Sequence, residues 1–355
     1  MNFEKSDSQN DIAGLVRDLL SRREVAAMGG FDSVLWRDLG KAGVLSAALP
    51  ASLGGADLGL LEQCSVLVEL GRALAATPYL ASIVLAASAV ASFGTPEQQR
   101  RWAEPAGRGD LLLSTALAED DAELPRVPST TASVSGVSGV KTVVDGAPWA
   151  DAFLVPAIAR EGVRVFVVER SDPGVTVAAQ ELTDGTTAGR VTLDSVPLGA
   201  DRILGGPEVA GWLAARGTVG LCALQLGVTE RALELTAEYA RNRMQFGRPI
   251  GSFQAVAQRL ADAWIDVEAI RLTMWQAAWR LAAEQPDDNA IATAKFWAAD
   301  GGHRVAHTAV HVHGGVGIDS SYPLHRYFAA AKHYEFALGG ATTQLRNIGA
   351  ELANA

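Results

Sequence analysis

The spacing of apolar residues changes twice along this 355-residue chain, and this change limits its fold more than any other feature. From about Ser8 to Gly109, apolar residues recur every three or four positions, as in amphipathic helices. From about Asp110 to Gly206, short runs rich in β-branched residues are separated by Gly, Pro, Asp or Ser. The helical spacing returns from Pro207 onward. The sequence therefore predicts a mainly α protein with a central β-domain.

Three domains are expected from these changes of spacing. They are an N-terminal helical domain over residues 1–109, a β-domain over 110–206 and a C-terminal helical bundle over 207–355. The β-domain is expected to be a small antiparallel sandwich or barrel, because its runs are short and bounded by turn residues. Thr95 is expected to cap a helix that begins at Pro96. A long helix in the third domain places one apolar stripe at helical spacing. The stripe consists of Phe253, Val256, Leu260, Trp264, Val267, Ile270 and Met274.

Composition narrows the possible partners. The formal net charge is −10, so no basic surface is expected for nucleic acid or anionic lipid, and a few local arginines must hold any anionic ligand. Cys64 and Cys222 lie in apolar surroundings and are expected to be reduced core residues, and no metal-ligand spacing is present. The chain start lacks the pattern of a secretory signal, and no uninterrupted apolar run reaches membrane-spanning length. A cytoplasmic protein without a membrane partner is expected.

Two stretches in the C-terminal domain have the chemistry of a phosphate-containing ligand site. Arg243 follows a long helical segment and precedes the tight loop Phe246–Pro249. An arginine there can donate two parallel hydrogen bonds to a phosphate, while Phe246 offers an apolar face. Gly314 and Gly315 remove side chains where a backbone must approach a bulky ligand. The structural alternatives are that Arg243 forms an intraprotein ion pair and that the glycines make a turn.

The order of these landmarks resembles the flavin-dependent acyl-CoA dehydrogenase family over essentially the whole chain. The most specific stretches are "RNRMQFGRPIGSFQ", which is similar to the family's R-x-x-F-G…F-Q signature, and "HVHGGVGIDSSYPLHRY", which is similar to its Q-x-x-G-G-x-G…R segment. Further stretches in matching order are "FGTPEQQRRW" and "LDSVPLGADRILG". The resemblance implies an N-terminal helical domain, a β-sandwich or barrel and a C-terminal four-helix bundle.

The same resemblance implies an FAD site. In this family the two signatures bind the pyrophosphate and adenine end of FAD, and they reach the FAD of a neighbouring subunit. The residues assigned to this site by the resemblance are Arg243, Gln245, Phe246, Gln254, His311, Gly314 and Gly315. His311 stands where the family usually has glutamine, and it can still donate or accept a hydrogen bond.

The segments that bind the flavin ring in this family depart from its pattern. A segment of the type T-E-x-x-A-G-S-D reads "AEDDAELP", with Pro125 removing a backbone donor. The acidic side chains of Asp120, Asp121 and Glu123 would repel a diphosphate or a reduced flavin. A segment of the type K-x-W-I-T reads "KTVVD", so that Val143 replaces the aromatic residue, and Trp149 is not expected to compensate. We therefore expect that the adenine half of the site is retained and that the flavin half is lost.

No catalytic base is predicted. The family places its glutamate at either of two points, and these correspond here to Gly339 or Leu338 and to Gly217. Glu335 lies a helical turn before the first point. It is expected to be a solvated or capping charge, although it is the remaining candidate for a base.

An enzyme-like chain without a base resembles the noncatalytic subunit of heteromeric acyl-CoA dehydrogenases of sterol-degrading bacteria. The resemblance implies an α2β2 complex in which a homologous catalytic subunit supplies the base and shares the FAD. It further implies an acyl-CoA substrate, with a steroid side chain or another bulky acyl group, and an acceptor of the electron-transfer flavoprotein type. Two alternatives remain: a self-sufficient homo-oligomeric dehydrogenase with Glu335 as base, and a flavin-free scaffold or binding protein of the same fold.

Overall fold

A computed structural model describes residues 3–22 and 30–354. Residues 23–29 of the predicted N-terminal domain lie outside the described part. The N-terminal helices are α1 (Asp7–Ser21), α2 (Ser33–Lys41), α3 (Leu60–Arg72), α4 (Ser88–Phe93), α5 (Pro96–Gln98) and α6 (Glu104–Arg108). Two π-helical segments, Leu80–Ala87 and Gln99–Ala103, directly precede α4 and α6. The predicted cap is confirmed, because Thr95 accepts from the Gln98 N–H in a reciprocal capping box.

The middle of the chain forms one eight-stranded sheet. Its strands are β1 (Leu113–Thr115), β2 (Thr131–Ser133), β3 (Gly136–Asp145), β4 (Ala152–Ala159), β5 (Gly162–Glu169), β6 (Val175–Glu181), β7 (Thr187–Val196) and β8 (Ile203–Leu204). Their order is β6-β7-β3-β2-β4-β5-β8, with β1 paired to β4. The expectation of a purely antiparallel domain is wrong, since β1 and β2 both pair with β4 in parallel. Because the β2–β3 hairpin lies between β1 and β4 along the chain, β1 and β4 can run in the same direction.

Buried apolar side chains on alternate positions hold the sheet's core. Phe153 and Val155 on β4, Val168 on β5 and Val191 and Leu193 on β7 belong to one buried cluster. Successive side chains of a strand point to opposite faces, so these residues share one face of the sheet, and on β4 the intervening Leu154 is buried on the other face as well. The β-branched runs of the sequence therefore correspond to real strands.

The C-terminal helices follow the sheet. They are α7 (Glu208–Asn242), α8 (Gln254–Ala282), α9 (Asp288–His313), α10 (Leu324–Phe336) and α11 (Ala341–Asn354). Between α7 and α8 lies a two-stranded ribbon of β9 (Met244–Gln245) and β10 (Arg248–Pro249). The helices α8, α10 and α11 each pack against α9. Together with the central sheet, they form the fold of the acyl-CoA dehydrogenases that the sequence predicted.

Two compact units make up the chain. One contains Met1–Asn10, Cys64–Ala75 and Val219–Ala355, and the other contains Asp11–Gln63 and Ala76–Thr218. Within the first unit, a side chain at Gly227 of α7 would meet the backbone of Val68 in α3, so these helices approach closely only because glycine is there. The three predicted domain boundaries stay a prediction.

The stripe predicted for α8 is partly wrong. Val267, Ile270 and Met274 are buried, whereas Trp264 is 59% exposed. The buried face begins at Ala263, and the next residue on a helix points about 100° away from it. Trp264 therefore lies beside the buried stripe and forms part of the exposed surface.

The remaining predictions from composition concern the cysteines and the membrane. Cys64 and Cys222 are buried as expected, and burial raises the pKa of the Cys222 thiol to about 12. By length and composition α7 passes as long and apolar enough to span a membrane, although Arg216 and Gln225 interrupt its apolar run. However, 61% of its most apolar window is buried inside the fold, as in the core helix of a globular protein.

Candidate functional site

A tight hairpin follows α7 and carries the first predicted motif. The Arg243 N–H donates to the Tyr239 carbonyl at 2.8 Å, and the Arg243 carbonyl accepts from the Ile250 N–H at 2.8 Å. Between these two bonds, Gln245 pairs with Arg248 across the ribbon. The chain thus reverses over two residues only, Phe246 and Gly247.

Phe246 is strained and exposed at the tip of this hairpin. Its φ is +52° and that of Gly247 is +77°, as a two-residue type I′ turn requires. This conformation suits glycine or asparagine and is costly for an aromatic residue. The Phe246 side chain is nevertheless 91% exposed, with a ring contact to Phe253 at 6.1 Å. Strain combined with exposure indicates a residue that serves binding rather than folding.

Arg243 is available for a ligand. Its side chain is exposed, and no hydrogen bond or ion pair occupies its guanidinium within the part of the chain that the structure describes. The alternative of an intraprotein ion pair therefore has no support. Arg248 differs, because its guanidinium lies 4.2 Å from the centre of the Phe253 ring and stiffens the hairpin.

The start of α8 adds backbone donors beside the hairpin. Phe253 occupies the N-cap position and its side chain makes no capping hydrogen bond. The first N–H groups of α8, beginning at Gln254, therefore lack a side-chain acceptor, and such a helix start favours an anion. Gln245 and Gln254 are both exposed next to it.

The second motif begins where α9 ends. Gly314 has φ +63° and ψ −142°, which glycine adopts without a steric penalty. A Cβ atom at Gly314 or at Gly315 would meet no atom within 4 Å, so there is open space beside this backbone. The turn alternative explains Gly314 but not Gly315, whose φ is not positive. Open space at both glycines fits the approach of a ligand.

An aromatic stack brings the two motifs together. Tyr239, one turn before Arg243, stacks on His313 with ring centres 4.3 Å apart. His313 is the residue that directly precedes Gly314. His311 is exposed on α9 and lines a groove of about 570 Å³ that also includes Arg259. The ends of α7 and α9 thus present the nucleotide motifs side by side.

The polar groups of this surface fit the nucleotide end of FAD. Arg243 can form two parallel hydrogen bonds with a pyrophosphate, and Gln245, Gln254 and His311 can donate to phosphate, ribose or base. The assignment of the seven residues to an FAD site stays a prediction.

In the β-domain, the segment "AEDDAELP" is held by a buried ion pair. The Glu119 carboxylate accepts from Lys141 Nζ at 2.8 Å and from the hydroxyls of Ser129 and Thr130 at 2.7 and 2.6 Å. Burial alone would raise the pKa of Glu119, but these hydrogen bonds outweigh it and lower the pKa to about 2. Lys141 is fully buried, and this role was not predicted from the sequence.

The acidic turn after Glu119 is closed by a second ion pair. Glu119 and Ala122 form an isolated bridge around the turn at Asp120 and Asp121. Asp120 accepts two hydrogen bonds from Arg190 of β7, at 2.6 and 2.7 Å. Asp120 is thus neutralised, and the predicted repulsion of a flavin by this residue is weaker than expected.

Polar groups of the second segment, "KTVVD", also form hydrogen bonds within the chain. Val143 has φ +50° and lies at a bulge of β3, where its N–H donates to the Gln180 side chain at 2.9 Å. Its own side chain is 42% exposed. Trp149 contacts the ring of Phe31 at 5.8 Å, in keeping with the expectation that it does not replace the missing aromatic residue. The Val143 N–H is therefore already engaged and is not free to donate to a flavin ring.

Glu335 is paired, and the expectation of a solvated charge is wrong. Lys332 Nζ lies 2.5 Å from its carboxylate and His303 Nδ1 lies 3.1 Å away. The carboxylate side chain is only 13% exposed. Lys332 and Glu335 are three positions apart on α10, a spacing at which opposite charges meet, so the pair was predictable in principle. The contacts with Lys332 and His303 therefore explain the Glu335 carboxylate as a structural group.

No carboxylate stands at the predicted base positions. Leu338 and Gly339 form a sharp turn after α10, with φ of +57° and +96°. The fully buried Lys295 donates to the carbonyls of Tyr334 and Glu335 and closes the end of α10. Gly217 lies within α7, and its neighbour Arg216 stacks on Trp212 at 4.0 Å. Both points therefore lack a proton acceptor in this chain.

Comparison with known proteins gives matches at both ends of the chain. Residues 6–110 match the model of the acyl-CoA dehydrogenase N-terminal domain, and residues 205–353 match that of the C-terminal domain. The acyl-CoA dehydrogenase FadE27 of Mycobacterium tuberculosis is 51% identical, over 99% of each chain.

Two solved structures resemble the fold closely. The ChsE4–ChsE5 complex of M. tuberculosis contains a chain with 52% identity and a TM-score of 0.94, with 100% of both chains covered. A variant of the Tcur3481–Tcur3483 steroid acyl-CoA dehydrogenase contains a chain with 37% identity and a TM-score of 0.89, with 98% of both chains covered.

Proposed function

This chain belongs to the acyl-CoA dehydrogenase family, whose members are FAD-dependent oxidoreductases, and we propose that it is the noncatalytic subunit of a heteromeric enzyme. In this proposal a homologous subunit provides the flavin-ring pocket and the base. The present chain completes that subunit's FAD site from its own C-terminal helices. The reaction is the α,β-dehydrogenation of an acyl-CoA thioester.

One contrast within the chain carries the proposal. The nucleotide half has an exposed arginine, Arg243, that has no hydrogen-bond or ion-pair partner among residues 3–22 and 30–354, and two glycines beside open space. The flavin half has its donors engaged internally, and Gly339 and Gly217 stand where the base is expected. A self-sufficient dehydrogenase needs both halves, whereas a chain that completes a partner's site needs only the first.

The relatives support a heteromeric partner and a bulky substrate. The two similar solved structures are complexes of two named subunits, and one of them is a steroid acyl-CoA dehydrogenase. We therefore extend the proposal to an α2β2 complex that acts on the CoA thioester of a steroid side chain or a related large acyl group. An electron-transfer flavoprotein-type acceptor is part of the same proposal.

The chain's own residues would act by binding and orienting the coenzyme. Bound FAD supplies the flavin that accepts hydride from the acyl β-carbon. Arg243 would hold the pyrophosphate by two charge-assisted hydrogen bonds, and the start of α8 would add backbone donors. Phe246 would cover an apolar part of the coenzyme or of the partner. In this proposal the proton leaves to a base on the homologous partner subunit.

Replacement of Arg243 tests the proposal. We expect Arg243→Ala to raise the Kd of FAD for the co-purified complex by about ten- to a hundredfold, because it removes charge-assisted hydrogen bonds of about 1.5–3 kcal/mol. Arg241→Ala is a matched control, since Arg241 is also exposed but lies two residues away in α7. Titration of the apo complex with FAD measures both.

The same preparations separate the alternatives. The isolated chain should contain no flavin and gain it only together with its partner. Full activity with one FAD per isolated chain would establish a self-sufficient enzyme instead. If Arg243→Ala leaves the FAD content and the rate of the complex unchanged, the chain is a flavin-free scaffold.

A further inference from the structure

A buried histidine lies between the two nucleotide motifs. His313 is the last residue of α9 and is 4% exposed. It stacks on Tyr239 of α7 at 4.3 Å, with the two ring planes 25° apart. Its other neighbour is Tyr322, in the turn before α10, at 5.3 Å between ring centres. Three elements of the bundle therefore meet at this one side chain.

The hydrogen bonds of His313 define its protonation. Nδ1 lies 2.8 Å from the Ala309 carbonyl, and a carbonyl can only accept, so Nδ1 carries the hydrogen. Nε2 lies 3.3 Å from the Tyr322 hydroxyl. In the neutral ring Nε2 is an acceptor, and Tyr322 donates to it. Both hydrogen bonds are satisfied by the neutral tautomer with its hydrogen on Nδ1.

His313 is linked to both nucleotide motifs, to one through Tyr239 and to the other through the chain itself. The Tyr239 carbonyl accepts the N–H of Arg243 and so anchors the first residue of the hairpin. Gly314 follows His313 directly, and a Cβ atom at Gly317 would come within 3.1 Å of the His313 Cβ. The segment after α9 is thus folded tightly onto His313. A shift of this ring would move the glycine pair relative to Arg243.

We propose that His313 is a positioning residue that holds the Gly314–Gly315 segment beside the Arg243 hairpin, so that one nucleotide diphosphate contacts both. This inference rests on the proposed function, because it assumes that the surface binds the nucleotide end of FAD. It assigns a role to a side chain that faces away from solvent and that carries none of the seven predicted contacts.

The arrangement also predicts a dependence on pH. The groups that face His313 are the rings of Tyr239 and Tyr322 and the Ala309 carbonyl, and none of them is an anion at neutral pH. Nearby, His325 donates a hydrogen bond to the Tyr322 carbonyl. Burial, together with Tyr239 and the charge of Glu238, raises the pKa of the Tyr322 hydroxyl. Burial lowers the pKa of His313 below its usual 6.5. Nucleotide affinity should be complete above that pKa and decrease as the pH falls through it, because a second proton places a positive charge on a ring that is only 4% exposed.

The test uses the full chain in complex with its catalytic partner. FAD is titrated into the apo complex between pH 4.5 and 8, and ADP serves as a competitor that carries only the nucleotide tail. We expect His313→Phe to weaken FAD and ADP by the same factor of about ten, because the ring stack remains but both hydrogen bonds are lost. Tyr322→Phe removes one hydroxyl and should weaken both ligands about two- to fivefold. The acid loss of affinity should disappear in His313→Phe.

His333→Gln is the control, because His333 lies on α10 outside this cluster. It should keep the affinity and pH profile of the unmodified chain. Thermal unfolding shows whether the variants are folded, and Tyr322→Phe keeps the test decisive if His313→Phe is not. Unchanged affinity in both variants, or an acid loss that persists in His313→Phe, would overturn the inference. Failure of Arg243→Ala to weaken FAD would refute the proposed function instead.

Discussion

At the scale of single residues, Glu335 illustrates how position along a chain differs from position in a site. Its carboxylate lies one helical turn from the point where a base is expected, yet Lys332 and His303 already engage it. A proton acceptor must be within hydrogen-bond reach of the substrate, and a carboxylate held in an internal ion pair is poorly placed for that. Its surroundings give it a role in holding α10 against α9.

Glu335→Gln should therefore leave turnover of the complex within about twofold of the unmodified rate. Loss of a general base typically lowers the rate by about 10²–10⁴-fold, so the two outcomes are well separated. Initial rates with a saturating acyl-CoA substrate give the answer. A decrease of a hundredfold or more would make Glu335 the base and the chain catalytic.

The pair of Glu119 and Lys141 has a purely structural consequence. Lys141→Met should lower the free energy of unfolding by about 3–5 kcal/mol, because it leaves a buried carboxylate without its counter-ion. Urea unfolding of the isolated chain measures the loss. Arg190→Ala is the matched control, since it breaks an exposed pair in the same segment and should cost much less.

The same pair makes stability depend on pH. The pKa of Glu119 is about 2 in the folded chain, below its ordinary value of 4.5. A depressed folded-state pKa stabilises the fold above the unfolded pKa, and this contribution is lost as the pH falls from about 4.5 towards 2. Glu119→Gln should flatten stability in this range. A variant that loses stability as steeply as the original chain would contradict the assignment.

At the scale of elements, the hairpin after α7 shows strain kept for binding. An asparagine at Phe246 would suit a type I′ turn, since Asn-Gly is its preferred pair. Phe246→Asn should leave the free energy of unfolding within about 1 kcal/mol, because relief of the strained φ offsets loss of the contact with Phe253. The same change should weaken FAD binding by the complex about tenfold.

Unfolding and FAD titration of one preparation check both parts of this prediction. Val134→Asn is the control, because Val134 is a fully exposed apolar residue in another turn. FAD affinity equal to that of the unmodified complex would show that Phe246 has no part in binding.

Local patterns predicted most elements of this fold, and non-local contacts explain the differences. The helix cap at Thr95 and the strand runs depend on neighbours in sequence and were correct. The parallel pairing of β1 with β4 depends on residues about 40 positions apart and carries no local signal. Whether Trp264 is buried depends on which face of α8 meets α9. The predicted apolar stripe was one residue out of register at this point, so it included the exposed Trp264 in place of the buried Ala263.

The sequence predicted the residues proposed to contact the ligand, but it did not predict the residues that hold them in place. Arg243 and the glycine pair belong to recognisable motifs, and the structure presents the Arg243 side chain exposed and the two glycines beside open space. The stack of Tyr239, His313 and Tyr322 joins residues from three separate elements. A histidine before two glycines gives no indication that its partner lies 74 positions earlier (313 − 239). Lys141 likewise reads as an ordinary strand residue until the fold buries it.

At the scale of the whole molecule, the chain has the architecture of the acyl-CoA dehydrogenase family, and the proposed function divides the enzyme's work between this chain and a partner. The helices and the sheet match the family throughout, including the two segments in which the sequence departs from the family's flavin-binding pattern. A fold can persist while a site is lost, since packing and chemistry depend on different residues. In the proposed complex, each FAD meets the complete set of site residues of the partner subunit and the incomplete set of this chain.

The most direct test is the ratio of FAD to polypeptide in the native complex, from flavin absorbance and native mass spectrometry. We predict one FAD for every two chains, with the present chain and a homologous partner in equal number. One FAD per chain, with a flavin seated in the β-domain of this chain, would contradict the central claim that it completes a site whose reactive half belongs to its partner.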